Sequence, residues 1–130
     1  MKSKTTRFPL GIKCHCSKPS PTLKLESYET LDIKLHATES IKPLRIFVHG
    51  EKPEGLIITD VKCGNISQLD YRTRGISGRH FTEEKSQFMK LNTLGPDSCF
   101  CVSVRSVSEE SIVFSIEIEA EVMNDDGTFG

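Results

Sequence analysis

Residues 112–122 read IVFSIEIEAEV, and this stretch decides the fold. Its apolar side chains fall on every second position, at Ile112, Phe114, Ile116, Ile118, Ala120 and Val122. Side chains of a strand point alternately to its two faces, so the stretch predicts a strand with one buried and one solvated face. Glu117, Glu119 and Glu121 would line the solvated face.

The beginning of the chain shows the same period of two. Its alternating core-type residues are Phe8, Leu10, Ile12, Cys14 and Cys16. The first 25 residues hold six basic side chains and no acidic one, whereas seven acidic residues and no lysine or arginine follow Arg105. Complementary charges favour pairing of the two ends, either within one chain or between chains. We expect Lys13 and the three glutamates Glu117, Glu119 and Glu121 to lie at that interface.

Several further stretches alternate in the same way between turn residues, and helical periodicity is not found. Seven or eight short strands with turns between them predict an all-β fold, a single antiparallel β-sandwich of jelly-roll type. The 130 residues suit one domain, with residues 1–6 and 124–130 as flexible tails. Patterning fades between residues 65 and 87, which predicts one long loop there.

Composition narrows the classes of partner. The net charge of −1 gives no overall attraction to nucleic acid or to an anionic membrane. No apolar run approaches the ~18 residues of a spanning helix, and no signal peptide is recognised. Five cysteines, an odd number, indicate free thiols in a reducing compartment. We therefore expect a cytoplasmic or virion protein without membrane contact, and binding to nucleic acid is not favoured.

Two cysteine pairs raise the question of a zinc site. Cys14 and Cys16 share the predicted core face of the first strand, whereas Cys99 and Cys101 oppose the core face of theirs. Cys14, Cys16 and Cys63 are expected to be buried as small hydrophobic side chains. Pairs on different faces cannot bind one ion, so we expect no metal and no cofactor.

Two histidines offer a second possible metal site. His36 and His49 are predicted on the outer faces of neighbouring strands, as solvated side chains without a carboxylate to complete a site.

No nucleophile elbow or phosphate-binding glycine motif occurs, so we expect no enzyme and no catalytic residue.

The predicted loop contains four basic side chains within nine residues, namely Arg72, Arg74, Arg79 and His80. Guanidinium groups there could bind the phosphate or carboxylate of a ligand or partner. The alternative is a solvated loop paired with nearby acidic residues.

The chain also resembles a known group of proteins. The run from Pro43 to Val48 and the run from Gly55 to Leu69 are similar to a pattern in small uncharacterised β-sandwich proteins associated with phage and other virus particles. In that pattern a Gly-Ile-Pro turn leads to a Phe-Thr/Ser-Glu segment. Residues 75–77 and 81–83 match it here, except that Ser77 replaces the proline. The resemblance implies a role in a virion or capsid and no catalytic residue.

These patterns lead to one expectation about function. The chain would be a non-enzymatic structural or interaction protein in a symmetric assembly, either a homo-oligomer or one with other subunits. The alternative is a small domain that captures an anionic ligand or protein partner through the Arg72–His80 loop.

Overall fold

Two antiparallel sheets pack face to face in this protein, for which the structure is a computed structural model describing residues 5–11, 22–69 and 75–123. The strands in these ranges are β1 (Thr5–Pro9), β2 (Leu23–Leu25), β3 (Thr30–His36), β4 (Ile41–Gly50), β5 (Leu56–Cys63), β6 (Ile66–Ser67), β7 (Ile76–Ser77), β8 (Cys99–Ser106) and β9 (Ile112–Val122). Two 3₁₀ turns lie at Pro53–Gly55 and Gly78–Phe81. No helix in these ranges is long and apolar enough to cross a membrane.

The first sheet, here called sheet I, is built around β9. β4 pairs with one edge of β9, from Ile41 opposite Val122 to Gly50 opposite Phe114. β1 and β2 lie end to end along the other edge. The last strand is therefore central, as its strict alternation over 11 residues leads one to expect.

The second sheet, sheet II, repeats this arrangement around β5 and β8. β8 lies between β3 and β5, and the short strands β6 and β7 share the outer edge of β5. Residues 86–94 run along the outer edge of β4 in sheet I, where the Met89 amide donates to the Leu44 carbonyl over 2.7 Å and Leu94 bridges Ile41.

The strand order is that of a jelly roll. For this comparison, β1 and β2 count together as strand 1, β6 and β7 as strand 5, and residues 86–94 as strand 6. The remaining strands β3, β4, β5, β8 and β9 are then strands 2, 3, 4, 7 and 8. Sheet I has the order 1-8-3-6 and sheet II the order 2-7-4-5. This double Greek key confirms the predicted sandwich.

The core lies between the inner faces of the sheets. Its largest fully buried side chains include Leu10, Ile33, Ile46, Leu56, Ile58, Phe100, Ile116 and Ile118. Register shifts at Leu44 in β4 and at Thr59 in β5 insert one extra residue in each strand. Each bulge reverses the alternation, so the buried positions change from odd to even numbers in β4 and from even to odd in β5.

The predicted long loop at residues 65–87 is only partly correct. Its described residues form β6, β7 and the second 3₁₀ turn. β7 reaches β5 because Gly75, with φ of 112°, passes so close to Ile57 that a Cβ atom would clash with it. Two-residue strands are too short to show a period of two, so no alternation in the sequence marks β6 or β7.

The predicted flexible tail at residues 1–6 is also too long. Thr5 and Thr6 already belong to β1, opposite Glu121 and Ala120. The remaining tail residues lie outside the described ranges.

Candidate functional site

Pairing of the two chain ends occurs within the chain. β1 runs antiparallel to β9, with Arg7 opposite Glu119 and Pro9 opposite Glu117. Arg7 also forms an ion pair with Glu117, so the predicted charge complementarity is met within the chain at this residue. Lys13, the other predicted interface residue, lies outside the described residues.

The outer face of sheet I carries a dense cluster of polar and aromatic side chains. They come from three adjacent strands and one turn: Arg7 of β1, Arg45, Phe47 and His49 of β4, Glu117 and Glu119 of β9, and Glu83 of the turn after the second 3₁₀ turn. We call this set the outer cluster. After the bulge at Leu44 the odd-numbered residues of β4 face outward, which places them beside the odd-numbered glutamates of β9.

Phe47 is the centre of the outer cluster. It occupies an outward-facing position of β4, opposite Glu117, yet its exposed fraction is 0%. Guanidinium groups cover its ring, with the Cζ atoms of Arg7 and Arg45 at 4.0 and 4.9 Å from the centroid. The ring of His49 stacks beside it at a centroid distance of 6.2 Å. Cation–π contacts thus allow an aromatic ring to be buried outside the sandwich core.

The glutamates of β9 are also more covered than the alternation predicts. The side chains of Glu117 and Glu119 are only 16% and 12% exposed. Arg45 donates two hydrogen bonds of 3.1 Å to Glu119, and Arg7 donates one of 3.1 Å to Glu117. The bidentate pair fixes both side chains in one geometry. Glu121 also lies on this face, opposite Thr5 and Lys42.

Glu83 joins the cluster from a separate segment. Both of its carboxylate oxygens accept hydrogen bonds from Arg7. These bonds hold the pKa of the Glu83 carboxyl below its usual range and raise the pKa of Arg7. The segment itself is anchored by Ser86, whose buried hydroxyl donates to the Ile46 carbonyl over 2.5 Å. A turn distant in sequence is thereby tied to the first strand.

The structure corrects the prediction for the two histidines. Since β3 and β4 belong to different sheets, His36 and His49 are not neighbours. His49 Nε2 lies 2.8 Å from Glu117 Oε1, so a carboxylate is placed beside it. His36 Nε2 lies 3.3 Å from Asp97 Oδ1.

Only part of the predicted anion-binding loop can be located. Arg72 and Arg74 lie outside the described residues. Arg79 and His80 belong to the second 3₁₀ turn, and both are exposed. His80 lines a cleft of about 290 Å³ together with Lys85, and its other lining residues are Ile76, Phe81, Gln87 and Met89. Two basic groups therefore stand at a partly apolar cleft, and none of its lining residues belongs to the outer cluster.

The cysteines take the predicted orientations where they can be followed. Cys63 is buried in the core, and burial raises the pKa of its thiol to about 11. Cys99 and Cys101 are half-buried on the outer face of sheet II, and desolvation raises the pKa of Cys101. Cys14 and Cys16 lie outside the described residues.

Sequence reasoning missed Glu83 and Phe88 as members of this region. Phe88 is 67% exposed, and the Cζ atom of Arg45 lies 4.8 Å from its ring centroid. An aromatic residue directly after the unpatterned residues 65–87 was the one signal that the sequence offered for Phe88. No protein-family model matches this chain, and no curated protein matches it.

Proposed function

We propose that this protein is a non-enzymatic structural subunit that associates with further copies of itself in a symmetric assembly, such as a virion or capsid component. The observation that carries the proposal is the exposed ring of Phe88 beside the ion-paired outer cluster. Arginine and aromatic side chains are enriched at protein interfaces.

Pre-organisation of the outer cluster supports the choice of this face. Arg45 contacts Glu119 and the rings of Phe47 and Phe88 at once, so its side chain has little freedom left to lose on association. The face carries both signs of charge, on Arg7 and Arg45 and on the glutamates. A mixed face of this kind can be complementary to a second copy across a two-fold axis.

The strand edges favour association through a face. β1 turns the backbone of Pro9 toward its free edge, where proline has no N–H to offer another strand. Residues 86–94 cover β4, and Gly11 bridges Lys34 on the edge of β3. Edge-to-edge pairing is therefore hindered at these three positions.

The jelly roll adds support by analogy alone. Viral capsid domains and lectins use this fold, but a fold does not specify a function. The sequence resemblance to virion-associated proteins points in the same direction.

Sedimentation velocity of matched variants tests the proposal. Phe88→Ser should weaken self-association at least ~10-fold, because it removes the exposed ring from the contact. Ile66→Ser is the control, since Ile66 is 61% exposed but belongs to sheet II. Equal association of both variants and the unmodified chain would refute the proposed face.

A second function is favoured by the cleft at His80 and Lys85. The two basic groups beside Phe81 and Met89 suit an organic anion with an apolar part. Titration with hexanoate should shift the His80 imidazole resonances in an NMR spectrum, whereas hexanol should not. If hexanoate leaves these resonances unchanged, or if Lys85→Ala does not weaken the response, this alternative fails.

A further inference from the structure

Three side chains with metal-binding atoms converge within the outer cluster. One ligand atom each from His49, Glu83 and Glu117 lies within 4.8 Å of the other two. We propose that these residues form an exchangeable zinc-binding site at the position where the Arg7 guanidinium lies. The site differs in its residues and chemistry from the cysteine site that the sequence argues against.

The donor set suits zinc. One imidazole nitrogen and two carboxylate oxygens match the three protein ligands of open zinc sites, in which water or a ligand fills the fourth position. Magnesium and calcium prefer sites made of oxygen alone. The imidazole of His49 therefore favours zinc over the alkaline-earth ions.

Two of the three ligands stand on rigid supports. His49 and Glu117 belong to paired strands in the middle of sheet I. The stacked ring of Phe47 positions the imidazole of His49, with 16° between the ring planes. Glu83 comes from a turn and is half-exposed, so it can adjust its position to an ion.

The charge of the outer cluster leaves room for a cation. Three carboxylates, those of Glu83, Glu117 and Glu119, face the two guanidinium groups of Arg7 and Arg45. Arg7 bridges Glu83 and Glu117, so it competes for the same oxygen atoms that zinc would use. On binding, zinc would replace the Arg7 guanidinium between the two carboxylates.

Competition by Arg7 gives the proposal its sharpest test. In calorimetric titrations of the full chain with zinc chloride, Arg7→Gln should bind zinc at least ~10-fold more tightly than the unmodified protein. His49→Ala and Glu83→Gln should each bind at least ~10-fold more weakly, as loss of groups around a metal commonly does. His36→Ala is the matched control and should leave the affinity unchanged, since His36 belongs to sheet II.

Cobalt(II) spectra of the same proteins separate this site from the cysteines. Thiolate ligands give an intense sulfur-to-cobalt charge-transfer band, which nitrogen and oxygen ligands do not. We expect cobalt to bind without this band, and His49→Ala to remove the bound spectrum. Circular dichroism establishes that each variant is folded. The proposal is overturned if the folded Arg7→Gln variant does not bind zinc. It is also overturned if neither His49→Ala nor Glu83→Gln changes the affinity for zinc. Neither outcome depends on self-association of the chain.

Discussion

At the scale of single residues, Phe47 shows how a side chain outside the core can be buried. Guanidinium groups, the ring of His49 and the strands beneath enclose it completely. Its environment therefore resembles a small second hydrophobic core. The aliphatic carbons and planar guanidinium groups of Arg7 and Arg45 cover the apolar surface of the ring.

Removal of the Phe47 ring should be costly. Phe47→Ala is expected to lower the free energy of unfolding by about 3 kcal/mol, because it empties an enclosed site and leaves the two arginines without their platform. Phe88→Ala removes the same ring from an exposed position and should cost less than about 1 kcal/mol. Urea denaturation of both variants measures the difference. Similar losses would show that the arginines do not enclose Phe47 in solution.

The buried thiol of Cys63 should make stability depend on pH. Its pKa is raised from 9.0 to about 11 in the folded state, so the unfolded chain ionises first as the pH rises above 9. Stability linked to Cys63 is therefore full below pH 9 and is lost between pH 9 and 11, with a slope of at most about 1.4 kcal/mol per pH unit.

Cys63→Val isolates this effect, because every other titrating group is shared with the unmodified protein. Between pH 9 and pH 10 the unmodified protein should lose more stability in urea denaturation than the variant does. Parallel pH profiles for the two proteins would be inconsistent with a protonated, buried Cys63.

At the scale of elements, Gly75 connects β7 to the rest of sheet II. A Cβ atom there would clash with Ile57, and its φ of 112° is unfavourable for other residues. Gly75→Ala should therefore destabilise the fold by roughly 2 kcal/mol or more. Gly64→Ala is a suitable control, since Gly64 has φ of 64° and open space around it, and should cost about 1 kcal/mol. Thermal denaturation that ranks the two variants in the reverse order would contradict the described packing of β7.

The pairing of β1 with β9 can be tested by charge reversal. Replacement of Glu117, Glu119 and Glu121 by lysine sets three cations against Arg7 and Arg45 and should lower stability by about 2 kcal/mol at low salt. About 1 M salt should reduce the loss, because it shortens the Debye length to roughly 3 Å.

The control for this reversal is the same change at the exposed glutamates Glu39, Glu51 and Glu54, which do not belong to β9. It alters net charge equally and should have a smaller effect on the melting temperature. Equal effects of the two triple variants would mean that net charge, rather than the pairing of the terminal strands, sets the stability.

The elements also show what the sequence could predict. The alternation in β9, β8 and β3 predicted their buried faces, because each of these strands is regular along its length. In β4 and β5 a single extra residue reverses the alternation, and no local signal marks Leu44 or Thr59 as the inserted one.

The candidate site was harder to foresee. Glu117 and Glu119 were recognised as one face, but their partners come from strands and turns far away in sequence. Glu83 and Arg7, which form a hydrogen bond, are 76 residues apart in the sequence. Only the strand topology of the folded chain brings them together. Taken one at a time in the sequence, these charged residues suggest only solvated side chains. The carboxylate of Glu117 beside His49 could therefore not be predicted.

At the scale of the whole molecule, the jelly roll brings together a closed core, hindered strand edges and one ordered outer face. The edges at Pro9, Gly11 and residues 86–94 limit pairing of sheets between copies. Phe88 and the outer cluster form the face through which we propose that copies associate.

The mass of the unmodified chain in solution, measured by light scattering across a range of concentrations, tests this account most directly. A chain of 14.6 kDa that assembles should give a mass that rises with concentration to a whole-number multiple of this value and remains there. A mass of one chain at every concentration, up to the highest that can be reached, would contradict the proposed self-assembly.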